Sequence, residues 1–123
     1  MNPDLQRLYK KKDRFGSRAQ SCRCLSGHQH DSREEAQYCN ILLWEKKAHL
    51  IKDYTTQVTY DLRVKGVLIC RHRVDFLIYL KGNHREVREY KGFRSEVWWI
   101  KKKLFEVCYP KIPYIVKTRK DLI

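Results

Sequence analysis

At 123 residues the chain has room for one hydrophobic core and not for two. Its composition, 42% hydrophobic and 33% charged, is that of a folded, soluble domain. The 27 lysines and arginines against 14 acidic residues give a formal charge of +13, an excess that calls for a polyanionic partner, nucleic acid before an anionic membrane surface. With no long apolar run, signal peptide or lipidation motif, a membrane role is set aside.

From Met1 to Gln20 the chain is polar and basic, with Arg7, Lys10, Lys11, Lys12, Arg14 and Arg18 and a short helix predicted from Pro3 to Lys12. Such an arm wraps phosphate backbones or merely solubilises, and its composition fits both equally. The arm and a lead-in segment account for residues 1–27, and a single domain for 28–123.

Cys22-Arg-Cys24-Leu-Ser-Gly-His28-Gln-His30 is a compact run of metal-ligand types. The Cys-x-Cys and His-x-His spacings differ from those of zinc fingers, and side chains two apart share one metal only in a contorted loop. The spacing therefore argues against a structural zinc and for a short extended lead-in. All five cysteines, Cys22, Cys24, Cys39, Cys70 and Cys108, then read as reduced thiols of a cytoplasmic protein.

Ser32 with Glu35 three residues on is a capping-box pattern, and the helix it opens is predicted to end at Ala48 or His49. Ala36, Cys39, Leu42 and Leu43 form its apolar stripe, with Ile41 and Trp44 at the edges. Glu35 falls inside that stripe. A carboxylate aimed at a core must be paired, capped or metal-bound, and the capping box alone would satisfy it.

Alternation of Tyr54, Thr56, Val58, Tyr60 and Leu62 with polar residues predicts a strand, a Lys65-Gly66 turn follows, and Val67 to Tyr79 is a long second strand. Arg71, Arg73 and Asp75 share one of its faces. After the turn cluster Lys81-Gly82-Asn83-His84, the run Arg85 to Lys91 puts Val87, Glu89 and Lys91 on one face. A loop centred on Gly82 sets Asp75 opposite Glu89, and this is the register expected; a two-residue Gly82-Asn83 turn would separate them. Two carboxylates converging near an amine suit a divalent cation bound by oxygens, with a lysine to position a water. The same charges equally make an exposed salt-bridge ladder.

Ser95 caps a second predicted helix, Glu96 to Cys108, whose stripe is Val97, Ile100, Leu104, Phe105 and Cys108, with Trp98 alongside and Lys101 within it. Only one of Trp98 and Trp99 can point inward; the other is a candidate interface or DNA-stacking residue. Pro110 stops this helix, Ile112 to Val116 is a last strand, and a basic tail runs from Lys117 to Lys120. The class is α/β or α+β, a central sheet covered by helices.

This αβββαβ order, with a carboxylate on the first helix, Asp75 on the second strand and Glu89-x-Lys91 on the third, resembles the PD-(D/E)xK nuclease superfamily and its restriction-endonuclease-like core. The stretches H-D-S-R-E-E-A-Q-Y, V-D-F, R-E-Y-K-G and K-K-K-L-F-E-V-C-Y-P resemble, over residues 28 to 117, small phage endonucleases of the endonuclease I-like, Holliday-junction-resolving kind. Val74 stands where many members have proline, and Gln57 where related sequences often have glutamine.

The resemblance implies a Mg²⁺- or Mn²⁺-dependent hydrolase of DNA phosphodiester bonds that leaves 5′-phosphate ends. Asp75, Glu89 and the Tyr90 main-chain carbonyl would hold the cation, Glu35 would complete the site, and Lys91 would act on the attacking water. Lys101 and Lys103 are candidate contacts to the scissile or adjacent phosphate, and Arg71, Arg73 and Arg94 to flanking backbone. Two coordinated cuts on branched DNA imply a symmetric homodimer, and phage origin implies the cytoplasm of a bacterial host. The rival readings are a non-catalytic basic nucleic-acid-binding module, a sequence-specific or nicking nuclease of the same fold, and a zinc-dependent regulator built on Cys22, Cys24, His28 and His30.

Overall fold

The computed structural model describes residues 23–122; the basic arm and Cys22 lie outside the described residues. Ser32, in extended conformation, accepts the Glu35 N–H at 3.0 Å and starts helix α1, Arg33–Lys47. Glu34 and Glu35 in its first turn and Lys46 and Lys47 in its last complement the helix dipole. Strands β1 (Asp53–Val64) and β2 (Val67–Tyr79) form an antiparallel hairpin closed by Lys65-Gly66, both at positive φ (51° and 82°), the geometry whose twist matches the strands.

A 3-10 turn at Lys81–Asn83 leads into β3, Arg85–Tyr90, antiparallel to β2. Helix α2, Glu96–Cys108, begins where Ser95 Oγ accepts the Trp98 N–H. It crosses to β4, Tyr114–Lys117, parallel to β3, before a short 3-10 turn at Arg119–Leu122. The result is a mixed sheet in the order β1-β2-β3-β4 with two helices, an α+β fold of the expected class. No helix among the described residues is long and apolar enough to cross a membrane.

Where one core was expected, the sheet carries one on each face, because helices cover both of its sides. Ala36, Tyr38, Cys39 and Leu42 of α1 pack with Phe76, Ile78 and Tyr90; Phe105 of α2 packs with Leu62, Val74, Leu77 and Val87. Val74 and Phe76 are two apart yet serve opposite cores, so the in-out alternation of β2 slips at Asp75. Directly across, Gln57 sits at φ 57°, a left-handed conformation that costs a non-glycine residue about 1–2 kcal/mol.

Several expectations need correction. Tyr38 is buried in α1, whereas Leu43 is only half-buried and Trp44 is exposed, because the helix meets the sheet along its Glu35–Cys39–Leu42 line. On α2, Val97 (61% exposed) and Ile100 (59%) face outward; the contact runs through Trp98 and Phe105, seven residues apart and so on one face. Strand β4 starts two residues later than expected, after Pro113, whose carbonyl accepts the Val87 N–H. Cys24 is buried in the α1 core, and its N–H donates to the His28 carbonyl at 3.1 Å. The lead-in segment around Cys24 thus packs against α1.

Candidate functional site

The β2–β3 ladder is registered as the Gly82-centred loop predicts: Phe76 pairs with Arg88, so Asp75 stands opposite Glu89. Beyond that pair the strands part. The Tyr90 N–H, released from the ladder, donates to Asp75 Oδ2 at 3.0 Å. Glu35 comes in from α1, and its expected capping-box partner is replaced: Glu35 Oε2 accepts the Asp31 N–H at 3.1 Å and lies 3.0 Å from His30 Nδ1. Glu35, Asp75, Tyr90 and Lys91 thus line one cleft of about 280 Å³, with Glu34 and Gly92 at its edge.

The electrostatics of this cleft are those of crowded acids. Burial, then the neighbouring Glu35 and Glu89 carboxyls, push Asp75 up to about 9, with Lys91 opposing them. Burial also acts to raise Glu35, but His30, the adjoining Asp75 and the Asp31 N–H more than reverse it and hold it low. The two carboxyls thus move apart, Asp75 upward and Glu35 downward, each acting on the other. Gln57, across from Asp75, has its Oε1 buried with no hydrogen-bond partner among the described residues.

Glu89 departs from the expected arrangement. It is 2% exposed, but its carboxylate accepts the Trp98 indole N–H at 2.9 Å and lies 3.7 Å from His72 Nε2, which in turn is 2.8 Å from the Tyr114 hydroxyl. The slip of β2 at Asp75 is the physical reason: it turns Asp75 toward α1, while Glu89 keeps the β3 alternation and faces α2. Glu89 therefore acts on Asp75 as a nearby charge and does not line the cleft. His72 was not singled out by its spacing, since an alternate-position histidine on a strand reads as ordinary sheet surface.

Among the expected phosphate contacts, Arg71 is paired with Asp61 at 3.1 Å and Arg73 with Asp31 at 3.3 Å. Arg94 lies 5.7 Å over the ring of exposed Trp99 and, with Lys91, lines a second cleft beside the first. Lys101 is half-buried and Lys103 exposed on α2. In the basic tail, Arg119 is bound to Glu34, which also accepts the Tyr90 hydroxyl.

A second cluster lies on the other side of Glu35. The donor atoms of Cys24, His28, His30 and Cys39 all lie within 4.8 Å of one another and can hold a metal ion. The spacing of the Cys22–His30 run did not point to this grouping. A turn at Gly27 (φ 88°), closed by an Arg23–Gln29 bridge, folds Cys24 back on His28. The member of the cluster that comes from α1 is Cys39, on its apolar stripe one turn beyond Glu35; Cys22 lies outside the described residues.

The fold and these clusters define an α+β protein with a buried carboxylate–lysine cleft adjoining a Cys/His metal-ligand cluster. The family model described as "Protein of unknown function (DUF1064)" matches residues 18–121, and the chain belongs to that family. Comparison with curated proteins and with solved structures gives no match.

Proposed function

We propose that the protein is a divalent-cation-dependent endonuclease acting on DNA, with the Glu35–Asp75–Lys91 cleft as its catalytic centre. The observation that carries this is the convergence of those three side chains, from α1, β2 and the end of β3, on one cleft. Their order along the chain is that of the nuclease superfamily the sequence resembles. Two buried carboxyls lining one cleft, with Asp75 pushed up by burial and by its acidic neighbours, fit a hard, oxygen-ligated ion, Mg²⁺ or Mn²⁺.

Asp75 and Glu35 would hold the ion, joined by the Tyr90 carbonyl, with Glu89 adding negative charge from across the strand gap. When bound, the ion would supply Lewis-acid stabilisation of the charge on the phosphate and the departing 3′-oxygen. Lys91 orients the attacking water and takes part in its deprotonation; the water oxygen bonds to phosphorus as the P–O3′ bond breaks, leaving a 5′-phosphate. The +13 charge supports a nucleic-acid substrate, and Arg94 beside Trp99 supports backbone contact with base stacking next to the cleft. Preference for branched DNA, a homodimer and a phage source rest on the family resemblance alone.

One observation favours a second reading, a non-catalytic basic DNA-binding module: the Glu89 carboxylate is engaged by Trp98 instead of lining the cleft. Incubating wild type, Asp75→Asn and Lys91→Ala proteins with linear, nicked, single-stranded and four-way-junction DNA in Mg²⁺, Mn²⁺ or EDTA separates the two. Cleavage by wild type that needs the cation and drops at least roughly 100-fold in each variant is expected. Binding without cleavage of any substrate in either cation would select the binding module.

A further inference from the structure

We propose that Cys24, His28, His30 and Cys39 bind one Zn²⁺ ion that staples the segment before α1 onto that helix. Tetrahedral zinc with sulfur at about 2.3 Å and nitrogen at about 2.0–2.1 Å sets sulfur and nitrogen ligands about 3.5–3.6 Å apart. His28 Nδ1 lies 3.5 Å from both Cys24 Sγ and Cys39 Sγ, the separation such an ion requires.

His30 supplies an independent indication. Its Nε2 is buried with no hydrogen-bond partner among the described residues, while its Nδ1 is taken up by Glu35. An imidazole fixed at one nitrogen by a carboxylate and offering the other to its neighbours is the usual form of a zinc-ligating histidine. Charge also closes: two thiolates and two neutral imidazoles around a divalent ion make a neutral unit, which can be buried, whereas thiolates alone at this site could not. Soft sulfur donors select zinc over the hard cation suited to the carboxylate cleft. Glu35 then stands between two metal sites, and its orientation toward Asp75 is held from behind by His30.

Zinc binding does not rest on the nuclease reading, because it is measured without DNA. Elemental analysis of the full chain, purified under reducing conditions, is expected to return one zinc per chain. Titration of Co²⁺ into zinc-stripped wild type should give the thiolate-to-cobalt charge-transfer band and the visible bands of a tetrahedral site, a readout that depends on no variant folding. Cys39→Ser should lose the stoichiometric zinc. Glu35→Gln, which removes no ligand, should keep the cobalt bands and weaken zinc roughly 10–100-fold. Wild type that takes up no zinc when reduced, cobalt without a thiolate band, or full zinc retention in Cys39→Ser would each overturn the site. Unchanged zinc affinity in Glu35→Gln would overturn the part assigned to Glu35.

Discussion

Asp75 is the residue on which the cleft turns. Its carboxyl is raised to about 9, so the stabilisation that comes from keeping its proton is complete below the ordinary carboxylate range and is lost as pH climbs through 9. In buffer without divalent cation, this group should lower the melting temperature progressively from pH 5 to pH 9. Asp75→Asn should flatten that dependence. Mg²⁺ competes with the proton, so the rise in melting temperature it gives should be larger at pH 8.5 than at pH 6; equal shifts at both, read by thermal melts, would contradict the proposed cation site. Glu89 makes a second test possible. Trp98→Phe removes the indole donor and leaves a buried carboxylate short of a partner, which should cost about 1–3 kcal/mol in urea unfolding.

At the scale of elements, the helices show how little of an apolar stripe a small sheet covers. On α2, Phe105 is fully buried whereas Val97 and Ile100 are not. Phe105→Ala should destabilise by about 3–5 kcal/mol, and Val97→Ser or Ile100→Ser by no more than about 0.5 kcal/mol, measured by denaturant midpoints. Helix limits, caps and strands were legible because they depend on local signals: Ser32 and Ser95 as caps, Pro110 as a stop, Lys65-Gly66 as a hairpin turn. The buried face of α2 was not, since Val97 and Trp98 are both apolar and only the partner surface decides between them. Cys39 was likewise read as core, which it is; that it also meets Cys24, His28 and His30 depends on where the turn at Gly27 folds the chain back.

For the whole molecule, the arginines expected to meet phosphate are not equally free of partners within the fold. Arg71 and Arg73 are matched by Asp61 and Asp31, whereas Arg94 rests on a tryptophan ring. If the protein binds DNA as proposed, Arg94→Ala should reduce the slope of log affinity against log salt by about 0.9, and Arg71→Ala by less, as followed by fluorescence anisotropy over a salt series. The register that sets Asp75 opposite Glu89 was legible from the Gly82-centred loop. That their side chains then part was not, because the slip of β2 at Asp75 and the positive φ of Gln57 are settled by packing on two faces at once.

The cleft draws on β2 and the end of β3 and on α1, which lies before them with all of β1 between. The β1–β2 hairpin, by contrast, needs only its own turn to begin pairing. Collapse can thus pass its barrier with the hairpin formed and the cleft still open. A cation that binds only the finished cleft would then leave the refolding limb of a chevron plot unmoved and slow the unfolding limb. Its effect on the lifetime of the native state would equal its whole effect on equilibrium stability.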